Sequence, residues 1–523
     1  SDAAPPADAA PTVDAAPDAA PPEAFDPAAW QRGAIYLLMV DRFADGAPNP
    51  GPDDDCFDPD DPRLFHGGDL VGLRQRLDYL AELGVDTVWV TPLTEQIGKH
   101  GDQCGYHGYW TALRVPDDGA LEPRLGTEQD LHDLLGALHA RGMRLMLDMV
   151  VNHPGYGAPV TASHPEWFHP REGCEHLGDP EETCPLAGLP DFDHDVPAVR
   201  RYLADASVAW VTRFAIDAIR MDTVKHVPLD YFAVTWIPAV RAVRPALYLL
   251  GELFDERPYD TQRPYLDAGF DGLFDFRLRR ALIDAAGADD PGPIAERVLE
   301  AWLTLGPERA RLRSTFIENH DVPRFATEIA SGDGDLDAAR FHLALVAWLT
   351  TPGIPQLYAG TELGMAGSWP DNRRDMPAWA FHGDRAGARP GFVGDPAANF
   401  DLTRDLLRLR RDLPALHAGD YVELWRPGGT GVPLYAFARR VGDSRVIVAV
   451  HAGAEPLVDQ AVPVRDNPFL GEAEQALLDG DVDLVEVLGR APAGAGRIED
   501  GALILSLPPR SAGVWTLSPT ARP

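Results

Sequence analysis

Basic residues are scarce in this chain, and so are cysteines and long apolar runs. Of 523 residues, 46 are Lys or Arg against 81 Asp or Glu, a formal net charge of −35. That excess disfavours nucleic acid and anionic membrane surfaces as partners and suits a neutral or cationic ligand, although solubility accounts for most of it. No stretch approaches the roughly 18 consecutive apolar residues of a membrane span, so none is expected. No signal peptide is legible at the N-terminus, as in a mature chain that has lost one. Only four cysteines occur, and none has CxxC spacing, which speaks against a zinc site. An even number allows two disulfides. Cys174 and Cys184 enclose a loop rich in Gly, Pro and acids, which suits a local bridge and leaves Cys56 with Cys104. Four free thiols in a reducing compartment is the alternative.

What remains is a hydrophobic fraction of 45%, that of an ordinary globular protein. The exception is residues 1–28, almost all Ala, Pro and Asp, which cannot bury enough apolar surface to fold. They read as a tether, fitting a secreted, periplasmic or cell-surface protein, with a lipid anchor as one form of attachment. After it, short apolar runs alternate with helical stretches. Strands are expected at 35–41, 86–92, 144–152, 218–222, 247–252, 272–276, 314–321 and 355–360. Segments such as LVGLRQRLDYLAELG and TEQDLHDLLGALHARG have helical periodicity. Eight buried strands separated by amphipathic helices predict a closed (β/α)₈ TIM barrel. The barrel is expected over 29–152 and 197–418, with a small excursion domain over 153–196, where a Gly- and Pro-rich connection is too long for a loop. From 419 to 523 the pattern of short strands and turns predicts a C-terminal antiparallel β-sandwich.

Residues 217–226 read DAIRMDTVKH. In a strand, Arg220 and Asp222 share a face, and an Arg beside a carboxylate holds it ionised. Such a pair is either a structural ion pair or part of a site. The neighbouring strands bear on the choice, because active sites of barrels lie at the C-terminal strand ends. There the third strand carries Asp148, the fifth ends in Glu252, and the seventh ends in Asn319, His320 and Asp321. Converging carboxylates repel one another, so the fold tolerates them only where function needs them. Retaining glycoside hydrolysis needs such a set: a carboxylate nucleophile and a second carboxyl that acts first as acid, then as base.

In order along the chain, DMVVNH (148–153), AIRMDTVKH (218–226), GELF (251–254) and ENHD (318–321) resemble the four signature regions of the α-amylase family. LPDFD (189–193), YHGYW (106–110) and GIPQLYAGTELGM (353–365) match further segments of it. The resemblance implies Asp222 as nucleophile, Glu252 as acid/base and Asp321 as transition-state stabiliser, with Arg220 supporting Asp222. It places His107, Tyr109, His153 and His320 around the sugar on the nonreducing side of the cleaved bond, Lys225 and Phe254 on the reducing side, and Asp371 and Arg373 at a more distant sugar. It implies Ca²⁺ as cofactor, held by Asn152, Asp191 and the carbonyl of His226, with a second site around Asp45, Asn49 and Asp69. The family usually has Gly where Ala218 stands. The N-terminal motifs are similar to the cyclodextrin-active and neopullulanase-like branches, whereas LPDFD departs from the neopullulanase form.

The function expected is a retaining hydrolase of α-1,4-glucosidic bonds in starch, maltooligosaccharides or cyclodextrins, acting as a monomer. The alternative is an α-glucan transglycosylase using the same covalent intermediate. A chain ending after one β-domain speaks against a typical cyclodextrin glucanotransferase, and the lack of a folded N-terminal domain against a typical cyclomaltodextrinase. A noncatalytic glucan-binding protein is a third reading, which three intact carboxylates disfavour.

Overall fold

A computed structural model of the chain describes residues 24–48, 54–117, 119–428, 431–465, 467–468, 470–478 and 482–519. Most of the expected tether, and Asn49, lie outside these residues. The tether's final residues are docked: Phe25 stacks on Tyr248 at 6.2 Å, and Asp26 caps a short helix, Pro27–Gln31.

Eight parallel strands form one sheet: β1 (Ile35–Leu38), β2 (Thr87–Val90), β3 (Arg144–Met149), β4 (Ala218–Met221), β5 (Tyr248–Gly251), β6 (Gly272–Leu273), β7 (Ser314–Thr315) and β8 (Ile354–Tyr358). Their order is β6-β5-β4-β3-β2-β1-β8-β7. A single parallel bridge between Phe274 and Ser314 joins the two ends, so the sheet closes into the expected (β/α)₈ barrel. The strands are apolar because both faces are covered: every residue of β1, β2, β4 and β5 is buried. The interior is a packed core, as barrels of this size require.

Each observed strand is shorter at its C-terminal end than the apolar run that announced it. The run expected at 314–321 pairs only at Ser314–Thr315, and Asn319, His320 and Asp321 leave the ladder. There Asp321 donates its backbone N–H to the Asn319 Oδ1 at 2.9 Å. The functional ends of the strands are therefore turns. At the end of β4, Thr223 adopts φ +47°, a left-handed conformation unusual for a residue with a branched Cβ.

The helices follow the sequence closely. Glu128–His139 starts with a capping box between Thr127 and Asp130. The stretch LVGLRQRLDYLAELG divides at Arg76 into Leu70–Gln75 and Leu77–Leu83. Residues 153–196 carry short helical turns and one β-bridge, Phe168–Phe192, and their Cys174–Cys184 disulfide closes a loop with a sequence separation of 10. The Cys56–Cys104 disulfide ties the loop after β1 to the loop after β2. Among the described residues no cysteine is free.

The C-terminal region forms a five-stranded and a three-stranded sheet, both antiparallel, with a second hydrophobic core. Of two buried arginines at this junction, Arg439 ties the sheets to the barrel and Arg410 ties barrel segments to one another. Arg439 donates to the carbonyls of Thr350 (3.1 Å) and Gly419 (2.9 Å). Arg410 donates to those of Gln31 (3.1 Å) and Leu416 (3.2 Å), and burial pushes its guanidinium down to about 9.

Candidate active site

Parallel pairing sets Asp148 of β3 beside Arg220 of β4. Arg220 is fully buried and binds three carboxylates from three successive strands. Its Nη1 lies 2.9 Å from Asp148 Oδ1 and 2.6 Å from Asp222 Oδ1, and its Nη2 lies 2.7 Å from Glu252 Oε1. A planar fork with five donors can serve several carboxylates at once, which a lysine cannot. Burying three acids around one cation leaves a net negative charge in the barrel mouth, a strained arrangement unless a ligand or proton relieves it.

Protons do part of this. Burial pushes the Glu252 carboxyl up to about 8, against the pull of Arg220, and the charges of Asp222 and Asp321 push the same way. Glu252 Oε2 accepts the Thr223 N–H at 3.1 Å. Burial likewise pushes Asp148 up to about 7. Asp321 behaves oppositely. Burial alone would raise its carboxyl, but His320, Arg373, Arg220 and His107 together outweigh that and hold it low. Its side chain is 31% exposed and therefore reachable.

Aromatic rings enclose the carboxylates. Tyr109 lies flat on His320, ring centres 5.3 Å apart and 5° from parallel. Its hydroxyl donates to Asp148 Oδ2 at 2.8 Å and stands 2.7 Å from His320 Nε2. His320 Nε2 is in turn 3.1 Å from Asp321 Oδ2. Burial pushes the His320 imidazole down to about 3, so the ring is neutral. His107 stacks on Tyr109 at 5.7 Å, and burial holds it well below the usual histidine range. His153 is buried on the same side, its Nδ1 accepting from Asn152 Nδ2 at 3.2 Å.

The outer residues are placed as follows. Lys225 and Phe254 stand on the rim, Phe254 43% exposed and packed on Phe276 at 4.3 Å. Arg373, expected at a more distant sugar, donates to Asp321 Oδ1 and to the His320 carbonyl at 2.9 and 2.8 Å, drawn there by the deprotonated Asp321. Asp371 is exposed and joins none of these contacts.

The expected calcium ligands divide into two groups. Asn152 is buried with its Oδ1 lacking any hydrogen-bond partner, a costly state that a cation would relieve. Asp191 is also buried, its Oδ2 2.7 Å from His169 Nδ1, and the Phe192 N–H donates to the Asn152 carbonyl at 3.0 Å. His226 lies in the turn Val224–His226. An orphaned amide oxygen, a carboxylate and a carbonyl are the hard donors Ca²⁺ takes, so these residues fit the ion. At the expected second site, Asp69 accepts from the Gly72 N–H (2.6 Å) with one oxygen and from those of Gly46 (3.1 Å) and Ala47 (2.8 Å) with the other, as a helix cap and loop clasp; Asn49 lies outside the described residues.

Sequence reading missed Asp148 and Trp89 as parts of the site. Asp148 had been noted as a strand-end acid without a role, yet it receives Arg220, Tyr109 and the Trp89 Nε1–H at 3.1 Å. A buried strand such as TVWV hides a tryptophan whose indole points at an acid on the neighbouring strand.

Residues 37–173 and 183–389 match the family model of the α-amylase catalytic domain. A cyclomaltodextrin glucanotransferase of Klebsiella oxytoca is 28% identical over 496 residues, covering 81% of this chain and 71% of that protein. The crystal structure of an Anoxybacillus α-amylase superposes with a TM-score of 0.78 at 29% identity, covering 94% of this chain and 99% of that one. A cyclomaltodextrin glucanotransferase described as having a three-domain ABC distribution superposes with a TM-score of 0.73 at 25% identity, covering 94% and 99%. The chain belongs to the α-amylase family of glycoside hydrolases.

Proposed function

We propose that this protein is a retaining hydrolase of α-1,4-linked glucans that works through a covalent glycosyl-enzyme. The observation that carries the reading is the single Arg220 guanidinium lying against both Asp222 and Glu252 while Glu252 is pushed up to about 8. A carboxyl pushed up this far keeps its proton and can act as the acid, which leaves Asp222 in the role of nucleophile. Glu252 protonates the glycosidic oxygen as an Asp222 oxygen attacks the anomeric carbon, and the leaving chain departs with that proton. Glu252, now a carboxylate, takes a proton from water, which displaces Asp222 and returns the sugar with its anomeric configuration retained. Asp321 stabilises the cationic transition state and grips sugar hydroxyls. Tyr109, with His320 behind it, offers an aromatic face to the pyranose, and His107 and His153 bind beside it.

The remaining parts of the reading are these. Asn152, Asp191 and the His226 carbonyl hold one Ca²⁺, which would tie the excursion loop to the barrel. The chain divides into a barrel (29–152 and 197–418), an excursion domain (153–196) and a C-terminal β-domain (419–523). It works as a secreted, periplasmic or surface-attached monomer. Two disulfides support an oxidising compartment, and among the described residues no helix is long and apolar enough to cross a membrane.

Domain count does not separate hydrolysis from transfer, since one three-domain neighbour is a glucanotransferase. Exposed Phe254 on the reducing-side rim favours keeping transfer as the second reading, with a sugar hydroxyl in place of water. The test is product analysis with soluble starch, maltooligosaccharides and β-cyclodextrin, using Asp222→Asn as blank. Short linear α-anomers, absent from the blank, are expected. Cyclic or longer products would move the assignment to transfer, and no turnover of any glucan would refute both.

A further inference from the structure

Among 46 basic residues the sequence has only two lysines, Lys99 and Lys225. Lys225 stands on the rim after β4, and its Nζ lies 3.4 Å from Glu181 Oε1. The other oxygen of the same carboxylate lies 3.7 Å from Arg257 Nη2, from the loop after β5. The Glu181 carbonyl accepts from His226 Nδ1 at 2.7 Å. One residue thus meets both rim loops through its side chain and its backbone.

Glu181 belongs to the helical turn Pro180–Thr183, inside the loop closed by Cys174–Cys184. That loop is fixed from within: the Glu181 N–H donates to Asp179 Oδ1 at 3.0 Å and the Thr183 hydroxyl to the Cys174 carbonyl at 2.9 Å. The side chains of Glu181 and Arg257 are 44% and 55% exposed. Exposed ion pairs contribute little to stability, so a folding role explains this cluster poorly. Its geometry has a different consequence. An ammonium group has three N–H donors, and one directed at Glu181 leaves two for a ligand.

Resting on the reading of the site given above, we propose that Glu181 is a specificity-determining positioning residue for the reducing-side half of the cleft, holding Lys225 in place and seating the disulfide-closed loop against the rim. A lysine stem is long and flexible, and holding its head in place before the sugar arrives spares the entropy of ordering it. The effect falls on the sugar that leaves or attacks. The nonreducing-side half, built from Tyr109, His107 and His320, lies beyond its reach.

Two donors separate the halves of the cleft. Maltopentaose needs sugars bound on both sides, whereas α-maltosyl fluoride loses only a fluoride ion as its C–F bond gives way to the ester with Asp222. For Glu181→Gln, kcat/KM on maltopentaose should fall about 3- to 10-fold, the span of one modest hydrogen bond, while the fluoride donor changes by less than about twofold. A readout independent of activity uses the two lysines. Acetylation by an N-hydroxysuccinimide ester, read by mass spectrometry, should rise at Lys225 relative to exposed Lys99 when Glu181 is neutralised, and the Cys174→Ser/Cys184→Ser double variant should move it the same way. Equal losses on both donors would reduce Glu181 to a structural role and overturn the inference, as would a variant matching the wild type in donor preference and acetylation ratio. A wild-type protein inert toward both donors overturns the underlying reading, and the inference with it.

Discussion

The Arg220 guanidinium stands 2.7 Å from the Glu252 carboxylate, so the residue assigned as acid is bound to a permanent cation and still holds its proton. Burial decides that contest. A cation alone favours the charged carboxylate, yet the low-dielectric surroundings and two further acids push Glu252 up to about 8. The same guanidinium reaches Asp148 and Asp222 from its other nitrogen, so one side chain sets the charge balance of the whole mouth.

Replacing Arg220 by Lys should therefore be far from conservative. A point charge cannot bridge three carboxylates, and breaking a buried ion pair by removing one partner costs about 3–5 kcal/mol. Arg220→Lys is expected to fold with a lowered Tm and to lose at least about 100-fold in kcat, since each 1.36 kcal/mol of barrier is tenfold. Thermal melts and initial rates on maltooligosaccharides measure both. Near-normal turnover by the lysine variant would show that the fork geometry is not needed.

The proton on Glu252 gives activity a direction with pH. The carboxyl is raised from an ordinary value of about 4.3 to about 8, and the acid form does the work. kcat/KM should hold below that value and fall as pH rises through about 8. Stability follows the same sign. A carboxyl whose folded pKa lies above its unfolded one favours folding below the unfolded value, and that contribution is lost as pH rises through the folded one. Glu252→Gln should therefore flatten the loss of Tm above neutrality while abolishing glucan hydrolysis. A kcat/KM profile that keeps rising through pH 9, or a variant with the wild-type slope of Tm against pH, would contradict the assignment.

The barrel and the three candidate carboxylates at its mouth were legible because both rest on local pattern. A short apolar run such as YLLG between amphipathic helices suits a strand covered on both faces, and the acid that ends it then sits at the mouth. What escaped depended on neighbours distant in sequence. Asp148 becomes a hub only through register with Arg220, 72 residues later. The placement of Arg373 depends on the charge of Asp321, 52 residues away. That Asp69 caps a helix with one oxygen and clasps a loop with the other is likewise set by backbone geometry rather than by local pattern.

The calcium site proposed at Asn152 and Asp191 is tested by chelation. A ligand that binds only the folded state at 100 times its Kd adds about 2.7 kcal/mol, so EDTA should lower Tm by several degrees and added Ca²⁺ should restore it. Asn152→Leu keeps the volume but removes the orphaned amide oxygen. It should lose the response to both reagents while the protein still folds. A wild-type Tm indifferent to EDTA would exclude the site.

Tyr109 combines two contacts that a pair of variants can separate. Its hydroxyl donates to Asp148 and its ring lies on His320. Tyr109→Phe removes only the hydroxyl, and with it the bonds to Asp148 and His320 Nε2. Asp148 Oδ2 keeps the Trp89 indole at 3.1 Å and Arg220 at 3.1 Å, so a loss of about 1 kcal/mol for each bond should cost roughly 5- to 30-fold in kcat/KM, with Asp148 still held in place. Tyr109→Ala also removes the aromatic face and opens a void beside His320, so about 3–5 kcal/mol of packing is at risk and KM should rise far more than for Phe. The ratio of the two effects measures how much of the sugar's binding is stacking. If Phe and Ala variants prove equally impaired, the hydroxyl carries the role, and the ring serves only to deliver it to Asp148.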